Sequence, residues 1–482
     1  MSIPGVVRII GVLLFAASLA MVPSLVLGVG EGLTLPWLGS ILTTGSLAAG
    51  CFFATNRRAV LDQRGGLLVV GLGWLAVVAA GSLPFILTGV ETDFAKAFFE
   101  STSGFTTTGA TVFPAIEPLP DSILLWRSVS HWLGGMGIIV LGVAILPFLG
   151  VGGAQLFRAE APGISTDRLT PRIASTARLL WGVYAGFTLL LGAVYVLLGM
   201  SVFDAVNHAM STLATGGFST RTASMAAFSP AIQWVTVLFM FVAGVNFALH
   251  YRMIAGRWTA WARDIEWQVY FLLAVGAAVV CFGSLMRTDY ASLEQVIREA
   301  VFNVVAVHST TGFATADFAA WPVLCQVILI GLMFVGAMGG STGGGFKVVR
   351  AIVLAKHTVA NFRLVIHPRA VIVHRLGGKP IGEDILLNVV GFFALYVVTH
   401  AAGTLLLAAM GYDFVTSASA AIAAMSSIGP GLGLVGPASH YGDLLPGAHL
   451  VLSALMLLGR LEFYTLLILF IPETWKLAKA TR

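Results

Sequence analysis

Charge is what this chain has least of. Asp, Glu, Lys and Arg make up 10% of its 482 residues, and 57% are hydrophobic; a soluble domain carries about 25% charged residues. That balance excludes a water-covered globular surface. Cysteine is nearly missing as well. Cys51, Cys281 and Cys325 each sit in an apolar run with no metal-ligand spacing, so they read as small buried hydrophobes and not as a disulfide or thiolate site. The ten histidines form no HExxH-type set; His131, His208 and His308 read as satisfied polar groups. No nucleophile–base pair and no paired catalytic carboxylates occur, which argues against an enzyme embedded in the membrane.

What the chain has in abundance is apolar runs of about 20 residues, each able to cross a hydrocarbon core of about 30 Å. Lipid offers backbone groups no partners, so such runs are expected to be helices. The expected fold class is an all-α integral membrane protein. The first run follows Arg8, lacks a small-residue cleavage site and leads straight into another span; it is expected to remain as a helix and not be removed as a signal peptide.

Charge is sorted between alternate loops. Arg57, Arg58 and Arg64, then Arg158, Arg168, Arg172 and Arg178, then Arg252, Arg257 and Arg263 form basic clusters. A longer one runs from Lys347 to Lys379, and Lys476, Lys479 and Arg482 follow the last span. The intervening loops carry Glu91, Asp93, Glu117, Asp121, Asp204, Asp289, Glu294 and Asp413. The positive-inside bias makes the basic set, and both termini, cytoplasmic. Between spans, these clusters report orientation and not nucleic-acid binding.

Two spans, at about 6–30 and 36–56, lead the chain. A pattern then repeats four times: an apolar span, an acidic loop, a short semi-polar helix, a Ser/Thr/Gly stretch and a returning span. This divides the chain into leading helices (1–60) and units over 61–155, 170–262, 263–380 and 381–482, the third with a broken second span and a basic cytoplasmic loop. The short helices begin near Asp93, Asp204, Glu294 and Asp413, where an acid can cap a helix start. They are too short and polar to span, and a re-entrant segment is tolerated only where protein buries it or it lines a cavity.

Each short helix runs into a similar stretch: Thr107-Thr108-Gly109, Ala214-Thr215-Gly216, Thr310-Thr311-Gly312 and Ser427-Ile428-Gly429. The glycines 109, 216, 312 and 429 are 107, 96 and 117 residues apart. Four loops in register suit a cation. Backbone carbonyls can replace its hydration shell, glycine permits the backbone angles that turn them to one side, and Thr and Ser add hydroxyls. Ordinary small-residue helix packing is the plainer alternative, but it does not require one such stretch per unit. The acids at the helix starts, with Glu100, could also concentrate cations at the outer mouth.

The segments ESTSGFTTTGAT (100–111), STLATGGFST (211–220), HSTTGF (308–313), SSIGPGLG (426–433) and GRLEFYTLL (459–467) resemble the pore loops and final span of the TrkH/KtrB/HKT superfamily of potassium transporters. The two leading spans resemble its TrkH branch. The resemblance covers essentially the whole chain. It implies K⁺ uptake through a four-loop filter, with the ion held by Thr108, Gly109, Thr215, Gly216, Thr311, Gly312, Ile428 and Gly429. It further implies a homodimer in the lipid bilayer of the bacterial inner membrane, a cytosolic TrkA-type nucleotide-binding ring as partner, and no organic cofactor. The loops depart from the TVGYG pattern of potassium channels. A symporter coupling K⁺ or Na⁺ to H⁺ or Na⁺ is the alternative, with Glu462 its one candidate acid; a purely structural membrane subunit would not need four matched loops.

Two further features stand out. Gly336 to Lys347 interrupts a span with Gly339, Gly340, Ser341, Thr342, Gly343, Gly344 and Gly345. It is not a phosphate-binding loop, because Phe346 separates Gly345 from Lys347 and Val348 follows. It reads either as a packing or hinge site or as a flexible obstruction under the four loops; the resemblance implies a gate. Arg460 lies within the apolar run 448–471. A charge there must face a cavity or a partner: carbonyls or an acid on another span, or the pathway itself, as the resemblance implies. Glu462, two residues on, points elsewhere on a helix.

Overall fold

The computed structural model describes residues 3–55, 63–144, 169–288 and 292–472. Arg57, Arg58, Arg158, Arg168, Asp289, Lys476, Lys479 and Arg482 lie outside these. The described chain is helical but for one two-stranded turn, in which Arg375-Leu376 pairs antiparallel with Lys379-Pro380.

The leading pair is α1 (Ile3–Ala20) with α2 (Val22–Gly30), and α3 (Thr34–Phe53). Four units follow. Each opens on a helix long and apolar enough to cross a membrane: α4 (Gln63–Leu87), α7 (Leu169–Leu197), α11 (Ile265–Leu285) and α15 (Glu383–Ala409). Each then turns into a short helix: α5 (Phe94–Phe105), α8 (Val202–Leu213), α12 (Leu293–His308) and α16 (Phe414–Met425). The returning segments are α6 (Asp121–Ala144), α9 (Pro230–Ala243) with α10 (Phe247–Ile254), α13 (Val323–Val335) with α14 (Val348–Ile366), and α17 (Pro446–Arg460) with α18 (Phe463–Leu467).

Two caps follow the sequence expectation and two correct it. Asp93 accepts from the amides of Ala95 and Lys96, and Asp413 from that of Thr416. In the other units a serine is the cap. Ser201 accepts from the Asp204 amide and Ser292 from that of Gln295, each with its partner three residues on, as in a capping box. A hydroxyl reaches the third amide from the cap position, whereas Asp204 and Glu294 already sit in the first turn.

Three of the four returning segments break partway. The α9–α10 bend is 101° and the α17–α18 bend 117°; α13 stops at Gly336 (φ +70°). The last span is therefore not continuous through 448–471. Arg460 ends its helix, and Glu462 at φ +62° redirects the chain.

Candidate functional site: a ring of four loops

The short helices all end in one way. Thr107, Thr215, Thr310 and Ser427 have φ of +54°, +52°, +61° and +54°. In each case the amide of that residue bonds back three positions and the next amide bonds back five: Thr107 to Gly104 and Thr108 to Ser103; Thr215 to Thr212 and Gly216 to Ser211; Thr310 to Val307 and Thr311 to Ala306; Ser427 to Ala424 and Ile428 to Ala423. This is the Schellman arrangement, with Thr or Ser where glycine is usual. A β-branched residue held there is strained by about 1–3 kcal/mol.

These bonds set the register of the loops and correct one reading of the sequence. Thr215, not Ala214, is the counterpart of Thr107; Ala214 caps its helix. The positive-φ glycines are Gly109 (+81°), Gly217 (+85°), Gly312 (+75°) and Gly429 (+95°). In the Gly216-Gly217 pair it is thus Gly217 that matches Gly109, and Gly216 matches Thr108. Both are glycine, so composition could not separate them. The Gly217-Phe218 and Gly312-Phe313 dipeptides were the signal available.

The four loops close on one another. A Cβ built on Gly109 would fall on the Gly216 carbonyl oxygen, one on Gly217 on that of Thr311, one on Gly312 on that of Ile428, and one on Gly429 within 2.7 Å of the Thr108 carbonyl oxygen. The order first, second, third, fourth, first is a ring. Only glycine fits these four positions, because both the space and the left-handed φ exclude a side chain. Among the described residues no hydrogen bond reaches the carbonyls of Thr107, Thr108, Thr215, Gly216, Thr310, Thr311, Ser427 or Ile428. All eight residues are buried. Buried carbonyls in folded proteins are nearly always paired, so a ring of unpaired ones, at the carboxyl ends of four converging helices, suits a dehydrated cation.

Behind the ring, each short helix braces the chain that leaves it. Glu100 takes the Val112 amide at 2.9 Å and the Thr111 hydroxyl at 3.0 Å. His208 Nε2 lies 3.0 Å from Ser219 Oγ. Asn303 bonds Thr315 through both ends of its amide, and Ser419 takes the Leu432 amide at 2.8 Å. Glu100 is also 2.8 Å from Arg127 Nε, with both side chains buried. Arg127 reaches the Ser219 carbonyl and lies 4.0 Å over the Phe218 ring. Glu100 therefore fastens the first loop to the second and does not face the mouth. The sequence carried no signal for Arg127.

The mouth is a cavity of about 90 Å³ lined by Gly109, Gly217, Gly312 and Gly429 with Arg127 and Arg221. Among the described residues no acid lines it; of the acids at the short-helix starts, Asp204 pairs with Arg221 at 2.7 Å and Glu294 with Arg298 at 2.9 Å. Glu117, in the loop before α6, takes the amide and hydroxyl of Thr222. Slight burial would raise its carboxyl pKa, but these bonds outweigh it and lower the pKa.

Against the ends of the short helices lies the glycine-rich loop. Thr342 Oγ1 donates to the carbonyls of Leu213 (3.0 Å) and Ala243 (3.3 Å). The Gly344 amide donates to Thr310 Oγ1 at 2.7 Å, and a Cβ on Gly344 would meet the Ser426 carbonyl. Arg460 Nη1 donates to the Thr342 carbonyl at 2.6 Å and Nη2 to that of Gly134 at 3.2 Å. The loop thus touches the second, third and fourth short-helix ends, and Arg460 links it to α6. Glu266 holds its two shoulders, the amides of Gly339 (2.7 Å) and Val349 (3.0 Å). Lys347, at φ +81°, turns back to the Gly343 carbonyl. Glu462 pairs with Arg350, not with Arg460. His131 meets Ser211 and His308 the Tyr270 carbonyl, so both serve as polar packing beside the loops.

The TrkH family model, described as "Cation transport protein", matches residues 40–477. The chain is 40% identical over 486 residues to the Trk system potassium uptake protein TrkH of Vibrio parahaemolyticus, covering 99% of this chain and 100% of the relative. It is 41% identical to TrkH of Halomonas elongata (99% and 100% covered) and 39% to TrkH of Escherichia coli K12 (98% and 99%). The crystal structure of the potassium transporter TrkH from Vibrio parahaemolyticus superposes with a TM-score of 0.91 at 38% identity, over 99% of this chain and all of that one. The family is one of transporters and not of enzymes. This multi-pass, all-α membrane protein belongs to the TrkH family of cation transport proteins.

Proposed function

We propose that the chain takes up K⁺ across the bacterial inner membrane through the four-loop ring, which acts as its selectivity filter. The observation that carries the reading is the closed ring of buried carbonyls that no hydrogen bond reaches among the described residues. Those oxygens compensate a cation for its lost water. The filter set is Thr107–Gly109, Thr215–Gly217, Thr310–Gly312 and Ser427–Gly429. K⁺ as the transported ion is supported by the printed names of the relatives, each a potassium uptake protein.

The loop 336–347 is the gate in this reading. It lies across the inner side of the ring, held by Arg460 and Glu266, and must move for an ion to pass. The basic loops face the cytoplasm, and the chain works as a homodimer controlled by a TrkA-type nucleotide-binding ring. The dimer and the ring rest on family resemblance. Coupled symport is less well supported, because Glu462 is held in an ion pair with Arg350.

Tracer Rb⁺ uptake into liposomes carrying the purified chain, followed by reversal potentials under opposed K⁺ and Na⁺ gradients, tests the proposal. Uptake with a potential near the K⁺ equilibrium value is expected. A protein silent under every gradient and partner condition would sink it.

A further inference from the structure

The four loops are not equivalent at their outer end. Among the described residues no hydrogen bond reaches the carbonyls of Gly109, Gly217 and Gly312, whereas the Gly429 carbonyl accepts one from the Tyr441 hydroxyl at 2.7 Å. Tyr441 is itself fixed on three sides. Its amide donates to the Thr111 carbonyl at 2.8 Å, next to the first loop. Its carbonyl lies 2.8 Å from His449 Nε2. Its ring packs on Phe99 with centroids 5.3 Å apart. One buried residue thereby joins the two loops, the fourth through its hydroxyl and the first through its backbone amide. The fourth loop is also the one with Ile428 at the position of Thr108 and Pro430 after its glycine.

Resting on the filter reading above, we propose that Tyr441 is a specificity-determining positioning residue. A carbonyl held by a phenol on the protein side is restrained from following a smaller ion inward. Discrimination between cations depends on cavity size or on the number and field strength of the carbonyl dipoles, and both depend on where each oxygen is held. Tyr441 restrains one of the four outer oxygens and, through Thr111, spaces the first and fourth loops. Without its hydroxyl the Gly429 carbonyl is free to close on Na⁺.

Tyr441→Phe keeps the ring on Phe99 and deletes only the hydroxyl. One neutral hydrogen bond corresponds to about a two- to tenfold change in an equilibrium, so the K⁺/Na⁺ permeability ratio should fall by about that factor. The measurement is the reversal potential of the full chain in liposomes under a K⁺/Na⁺ gradient. Phe99→Leu serves as the packing control and should leave the ratio unchanged. An unaltered ratio in conducting Tyr441→Phe, or an equal fall in Phe99→Leu, overturns the proposal while leaving the filter reading intact. A complete lack of cation current from the unmodified chain would remove both.

Discussion

Arg460 donates to the carbonyl of Thr342 at 2.6 Å, so the end of α17 in the fourth unit holds the middle of the glycine-rich loop. A hydrogen bond from a charged donor contributes about 1.5–3 kcal/mol, and each 1.4 kcal/mol is tenfold in an equilibrium. Arg460→Ala should raise Rb⁺ flux by about tenfold or more while the protein still purifies as folded. Flux equal to that of the unmodified chain would show that the bond does not restrain the loop.

Glu266 holds the loop at its shoulders, through the amides of Gly339 and Val349. Glu266→Gln retains an oxygen acceptor and should raise flux modestly. Glu266→Ala removes it and should raise flux more. Deleting residues within 339–345 should exceed both, and the three can be ranked in one uptake assay. The reverse order would contradict a restraining role.

The register of the second loop has its own test. A Cβ on Gly216 would meet the His131 ring, while one on Gly217 would meet the Thr311 carbonyl, a backbone atom, at a φ of +85°. Both alanine variants should lose transport. Adding His131→Ala should restore part of the flux to Gly216→Ala, whereas no side-chain truncation should rescue Gly217→Ala. Rescue of the second and not the first would move the register back by one residue.

The Glu100–Arg127 pair is buried on both sides. Removing one partner of such a pair costs about 3–5 kcal/mol, because the other is left charged and dry. Arg127→Met should lower the melting temperature in detergent markedly. Arg127→Met with Glu100→Gln should recover a large part of the loss. Equal melting temperatures for the single and double variants would argue against the coupling.

Between the first two units, Glu117 ties the loop before α6 to Thr222, and its folded pKa is lowered. A depressed carboxylate stabilises the fold above its unfolded pKa of about 4.3. That stabilisation is lost as pH falls through the lower folded value. Glu117→Gln should therefore be less stable than the unmodified chain at about pH 6 and match it in acid, once the pH has fallen through the lowered folded value. A gap that persists in acid would mean another group is responsible.

By itself the sequence determined the solvent, the helices and the repeat. Apolar runs of spanning length have one satisfactory backbone solution in lipid, and half-length polar helices between them must re-enter. Asp93 and Asp413 were legible as caps because capping is a contact across two or three residues. Ser201 and Ser292 carry equally local signals, and the neighbouring acids obscured them. Only the tertiary structure decided the rest. Which glycine of Gly216-Gly217 enters the ring depends on the hydrogen bonds that end α8 and on a carbonyl of the third loop. Arg460 looked like a charge stranded in a span. It is a helix end whose partners stand 118 and 326 residues away. The Arg127 bond to the Ser219 carbonyl and the Tyr441 amide bond to Thr111 likewise join segments of different units, which meet only when the units close. Periodicity and propensity report on neighbours along the chain, and a ring built from four units is made of contacts between residues that are not neighbours.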